Sequence, residues 1–142
     1  MEFSSETKLS KHFKLKEFEK SQMAYRLGID NRVTDKTIFN NLKNLSEEIL
    51  EPIRNHFGKP FTPNSGYRCL ELNRKLGSRD TSQHTLGQAV DIEIVGIDNE
   101  TLFAYIKNEL DFDQVILEYY DGITPDSGWI HVSYVSPKEN RK

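Results

Sequence analysis

The chain has 142 residues, a mass of 16.5 kDa and a formal net charge of -3. That length suits one domain spanning residues 1–142, and the single cysteine, Cys69, excludes cysteine-based zinc fingers, iron–sulfur clusters and dithiol redox pairs. The mild acidity argues against nucleic acid as a partner, and no run of about 18 apolar residues exists to insert into a membrane.

The N-terminus lacks the basic and apolar regions of a secretory signal. Residues 1–8 and 137–142 are polar and charged, and are expected to be flexible. Leu9, Phe13, Leu15 and Phe18 suggest an extended lead-in and a short helix from Lys16 to Lys20. Gly28 and the Asp30-Asn31 pair mark a turn. From Asp35, a plausible N-cap, the residues Ile38, Leu42, Leu45, Ile49 and Ile53 recur at spacings of four, three, four and four. This is one face of an amphipathic helix. It runs from about Asp35 to Phe57 and stops at Gly58 with Pro60 just beyond. Pro52 predicts a kink or break near Glu51, because proline removes a helical donor and crowds the preceding turn.

Phe61 to Arg68 reads as a short strand or extended loop. A short helix from Leu70 to Leu76 closes at Gly77, and Ser78 to Gly87 reads as a loop. Ala89 to Val95 alternates apolar and acidic residues, the pattern of a half-buried strand. Asp98 caps a helix reaching about Leu110, with Leu102 and Ile106 inward. Asp113 to Tyr120 and Trp129 to Val135 are strands, separated by a turn-rich loop from Asp121 to Gly128. Helices first, then strands around one helix, predict an α+β fold: N-terminal helices packed on a small, mainly antiparallel sheet.

Two windows carry chemistry. In Ala89–Val95, Asp91 lies on an apolar strand, where a lone buried carboxylate is costly without a partner or a metal. In Trp129–Tyr134, His131 and Ser133 share the face opposite Ile130, Val132 and Tyr134. If these strands pair, His131 and Asp91 share one face of the sheet, and His84 reaches them from the preceding loop. Two imidazoles and one carboxylate with an open fourth position make a catalytic type of zinc site. Taken singly, each residue is also compatible with a structural histidine or a solvated acid.

The surrounding residues resemble the zinc D-alanyl-D-alanine carboxypeptidases and their peptidoglycan endopeptidase relatives. That family carries Ser-x-His-x-x-Gly-x-Ala-x-Asp, found here as Ser82–Asp91, and a late Trp-x-His, found as Trp129–His131. Ser65-Gly66-Tyr67-Arg68 with Leu72-Asn73, and Asp113–Glu118, also resemble family segments. The likeness runs from about Leu9 to the C-terminus, and the hedgehog signalling domain shares the same zinc core.

The resemblance implies one zinc ion per chain, held by His84, Asp91 and His131. It implies hydrolysis of peptidoglycan stem peptides, as a D-Ala-D-Ala carboxypeptidase or an L-Ala-D-Glu type endopeptidase, with water activated by a glutamate base. Many relatives place that base three residues before the last histidine, where this chain has Gly128. Glu118 matches its placement in the hedgehog-like branch, with Asp121 and Asp126 as alternatives. Arg68 matches an arginine that contacts substrate beside the metal. Tyr67, Ser82, Gln83 and Trp129 are further candidate substrate contacts. His12 and His56 match no motif residue, and Cys69 reads as a small buried side chain.

The reading is therefore a monomeric peptidase domain with a peptidoglycan peptide as its partner. It would be phage or prophage encoded, made in the cytoplasm and acting on the bacterial wall. The absent Glu-x-x-His keeps open a zinc-containing, hedgehog-like binding module, or a phage structural protein without hydrolytic activity.

Overall fold

The computed structural model describes residues 2–125 and 127–142. Two short helices, α1 (Lys16–Glu19) and α2 (Gln22–Leu27), precede a long helical run made of α3 (Lys36–Leu45), a π-helical turn (Ser46–Leu50) and α4 (Glu51–Phe57). Then follow α5 (Leu70–Lys75), a 3-10 turn (Gln83–Leu86), β1 (Ala89–Ile92), α6 (Asn99–Glu109), β2 (Gln114–Glu118) and β3 (Trp129–Ser133). The three strands form one antiparallel sheet in the order β1-β3-β2. This is the α+β arrangement expected.

The long helix forms where its periodicity places it, with the Asp35 carboxylate accepting from Thr37 N and Ile38 N. Its disturbance near Pro52 is a widened turn, in which Glu51 N donates to Ser46 O. Proline has no N–H to offer, and its ring would crowd a regularly placed carbonyl one turn back. A π turn accommodates both without breaking the helix. Helix α2 was not expected from the sequence. It begins where Ser21 Oγ accepts from Ala24 N and ends at left-handed Gly28.

One hydrophobic core joins helices and sheet. Leu42, Leu45, Ile49, Leu50 and Ile53 of the long helix, and Leu102 and Ile106 of α6, cluster with Val90, Ile92, Ile130 and Val132. Val115 and Leu117 of β2 pack against the same cluster. Strand β1 is shorter than its alternation suggested and is buried at all four positions. Its outer edge is covered, because Ser65 bridges to Asp91. Asp91 N donates to Ser65 O and Asn64 N donates to Asp91 O.

Both ends of the chain make specific contacts where flexibility was expected. Lys8 bridges to Lys14, and Ser5 Oγ donates to Glu19. Arg141 and Lys142 fold back onto Asp113. Among the described residues, no helix is long and apolar enough to cross a membrane.

Candidate metal centre

Antiparallel pairing sets Asp91 directly opposite His131, and His131 opposite Ile116. Side chains alternate along each strand, so Asp91, His131, Ile116 and Glu118 share the sheet face turned away from the helical core. His84 reaches this face from the 3-10 turn. Ser82 Oγ caps that turn by accepting from His84 N, and Gly87 closes it with a left-handed backbone.

One ligand atom from each of His84, Asp91 and His131 lies within 4.8 Å of the others. His84 Nε2 is 3.5 Å from one Asp91 oxygen, and His131 Nδ1 is 3.1 Å from the other. His84 Nδ1 lies 2.7 Å from the Gly66 carbonyl oxygen. A carbonyl only accepts, so in the neutral ring Nδ1 carries the proton and Nε2 turns its lone pair toward Asp91. Gly66 itself is packed against the end of α1, where a Cβ would stand 2.8 Å from the Phe18 carbonyl oxygen.

These residues fit a zinc ion. Tetrahedral zinc with bonds of about 2.0–2.1 Å separates its ligands by about 3.3 Å; each histidine lies near that distance from one of the two Asp91 oxygens, and the three ligand atoms fall within 4.8 Å of one another. Two nitrogens and a carboxylate oxygen also suit zinc chemically. The free lone pair of His84 facing a carboxylate is a pair of acceptors that a cation would reconcile. Burial pushes the Asp91 carboxyl up, but when no cation is bound and the two rings carry a second proton, hydrogen bonds and charge from His131 and His84 outweigh it. Asp91 therefore ionises well below the usual carboxylate range.

Two charged groups flank the three ligands. Glu118 Oε1 is 3.9 Å from His131 Nδ1. Arg68 Nη2 is 3.6 Å from Asp91, and its side chain is only 14% exposed. The guanidinium is oriented by Ser65 Oγ, Asn73 Oδ1 and Ser78 Oγ at 3.3–3.4 Å. Burial lowers its pKa, while the charges of Asp91 and Glu118 oppose that shift. All five residues line one cleft of about 580 Å³, together with Ser82, Tyr119 and Trp129.

Other expected contacts lie elsewhere. Tyr67 packs against the core and lines a neighbouring groove. Gln83 turns its amide to Asp113, 3.0 Å away. Asp121 caps its own loop by accepting from Ile123 N and Thr124 N, which hold its carboxyl down at about 2. It does not line the cleft. Asp126 lies outside the described residues. His12 pairs with Glu51, and His56 stacks on Tyr105, so neither joins the centre.

Gly128, at the missing glutamate position, has a positive φ of 69°. A Cβ there would overlap the Glu118 carbonyl oxygen and lie 2.7 Å from the Tyr119 carbonyl carbon. The end of β2 thus occupies the space that a side chain at position 128 would need.

Sequence reasoning missed Asn31, whose buried amide ties together the chain on both sides of Arg68. It also missed the partner of Gln83. Neither belongs to a local motif with a predictable long-range contact.

A small antiparallel sheet on whose outer face two histidines, an aspartate, a nearby glutamate and a half-buried arginine converge defines a metallohydrolase type of centre. The peptidase M15 family profile matches residues 11–133, a span that contains all five groups, and the chain belongs to that family. M15 peptidases are zinc-dependent. No curated protein matches the sequence.

Proposed function

We propose that the chain is a zinc metallopeptidase acting on peptidoglycan stem peptides, at a D-Ala-D-Ala or an L-Ala-D-Glu type bond. In this reading, His84, Asp91 and His131 hold the metal. The observation that carries it is the convergence of that ligand set with Glu118 and Arg68 in one cleft. Zinc held there would supply Lewis acidity, polarising a carbonyl and acidifying water.

Glu118 is the proposed general base. Its carboxylate would take a proton at Oε1 and return it to the leaving amine. The occupied space at Gly128 supports Glu118 in that role over a base three residues before His131. Arg68 presents a fixed, permanently charged fork, suited to a substrate carboxylate or to the oxygen that gains charge during attack. Tyr119 and Trp129, with ring centroids 4.9 Å apart, form an aromatic wall for the peptide. Ser82 serves the turn, where its hydroxyl already accepts from His84 N. Phage origin and action at the bacterial wall remain part of the proposal, supported by the sequence resemblance.

The test pairs zinc content with digestion of purified peptidoglycan, read by mass spectrometry of the released peptides. Glu118→Gln should keep zinc and lose activity by about 10²–10⁴-fold. Wild-type protein with one bound zinc that leaves every wall peptide intact would refute the peptidase reading and favour a binding module.

A further inference from the structure

Asp113 is a buried carboxylate that the chemistry above does not use. Its side chain is 2% exposed. It accepts from Arg141 at three places: the backbone N at 2.7 Å, Nε at 3.1 Å and Nη2 at 2.6 Å. It also accepts from Gln83 Nε2 at 3.0 Å and Ser133 Oγ at 3.5 Å.

The last two donors sit on the elements that carry the histidines. Gln83 directly precedes His84 in the 3-10 turn. Ser133 lies two residues beyond His131 on β3, on the same face. The turn and the strand are far apart in sequence, so the separation of the two imidazoles depends on how the elements are held together. One carboxylate touches both. Burying it with only neutral donors would be costly, and Arg141 supplies the compensating charge.

We propose that Asp113 and Gln83 are positioning residues for the metal centre. Through them, the turn bearing His84 is fixed relative to the strand bearing His131, with Arg141 as the counter-ion. This inference rests on the metal-site reading. It gives Gln83 a role in place of the substrate contact expected from the sequence. Groups that hydrogen-bond directly to metal ligands change metal affinity by about 10–100-fold when removed; Asp113 and Gln83 act one contact further out, which puts their effect at the low end of that range.

Gln83→Ala is the informative variant, because it deletes a neutral amide and leaves the Asp113–Arg141 pair intact. Zinc affinity would be measured on the full chain by chelator competition, and ligand geometry by the visible spectrum of the cobalt(II)-loaded protein. Circular dichroism would confirm that each variant is folded. Gln83→Ala should bind zinc about 10-fold more weakly and shift the cobalt spectrum. Arg141→Gln should do likewise, with Arg141→Lys recovering part of the loss. A folded Gln83→Ala protein with zinc affinity within about twofold of wild type and an unchanged spectrum would overturn the proposal, whatever Arg141→Gln does. Wild-type protein that binds no zinc would instead refute the metal site itself.

Discussion

At position 128 the backbone decides what the side chain can be. Gly128 carries a positive φ, and its α-carbon faces the last peptide of β2. Gly128→Ala should therefore cost about 2–4 kcal/mol, combining a left-handed backbone with steric overlap. Denaturant unfolding would check this, and a loss below about 0.5 kcal/mol would show that the end of β2 yields easily. The same variant should depress activity beyond its effect on folding, because the displaced peptide carries Glu118. The candidate set His84, Asp91 and His131 was legible through its motif spacing, and alternation puts two of them on one face once β1 and β3 pair. The direction of Gln83 was not. Its amide points where Asp113 is, 30 residues away, and no local pattern encodes that contact. Asp121 illustrates the opposite error: an acid in a loop near the site, already committed to backbone N–H groups.

Elements position Arg68 through a residue from another part of the chain. Asn31 Nδ2 donates to Glu19 O at the end of α1 and to Tyr67 O, while Asn31 Oδ1 accepts from Cys69 N at the start of α5. Tyr67 and Cys69 flank Arg68, so one buried amide fixes the backbone on both sides of the guanidinium. Asn31→Ala leaves three backbone groups without that partner and should destabilise the fold by about 2–4 kcal/mol. It should also lower kcat/KM below that of an equally destabilised variant remote from the site. Equal activity in the two folded proteins would separate Asn31 from Arg68. The sequence marked Asn31 only as part of a turn, because an asparagine after glycine and aspartate reads that way locally. The long helix was legible because its apolar stripe persists over five positions. Helix α2 was not, since Ala24 is its one buried residue and no stripe develops. Strand order was equally hidden: β3 is last in sequence but central in the sheet, a result of long-range packing.

Across the whole molecule, buried carboxylates join parts that are distant in sequence. Glu19 accepts from Val33 N and Ser5 Oγ, drawing the N-terminal segment onto α1. Asp113 draws in the C-terminal segment, the turn before β1 and strand β3. This arrangement has a pH signature. The groups facing Asp113 are the Arg141 guanidinium and the neutral side chains of Gln83 and Ser133, with the Lys142 ammonium nearby over the Phe112 ring. Hydrogen bonds from Arg141 lead the other effects, overcome the upward push of burial, and hold the Asp113 carboxyl at about 2, against 3.8 for an unperturbed group. A carboxylate depressed on folding stabilises the native state above its unfolded pKa, and that stability is lost as pH falls through the folded value. The contribution of Asp113 should thus be complete at pH near neutrality, begin to fade below about 4 and be largely gone near about 2. Asp113→Asn keeps the shape but removes the charge, and should cost about 2–3 kcal/mol at neutral pH. Denaturant unfolding of both proteins at several pH values isolates the effect from other acids, including Asp91, which both chains share. The stability gap between wild type and Asp113→Asn should shrink steadily on acidification. A gap that stays constant from neutrality to about pH 2.5 would mean that Asp113 acts through its shape alone, with no net contribution from its charge.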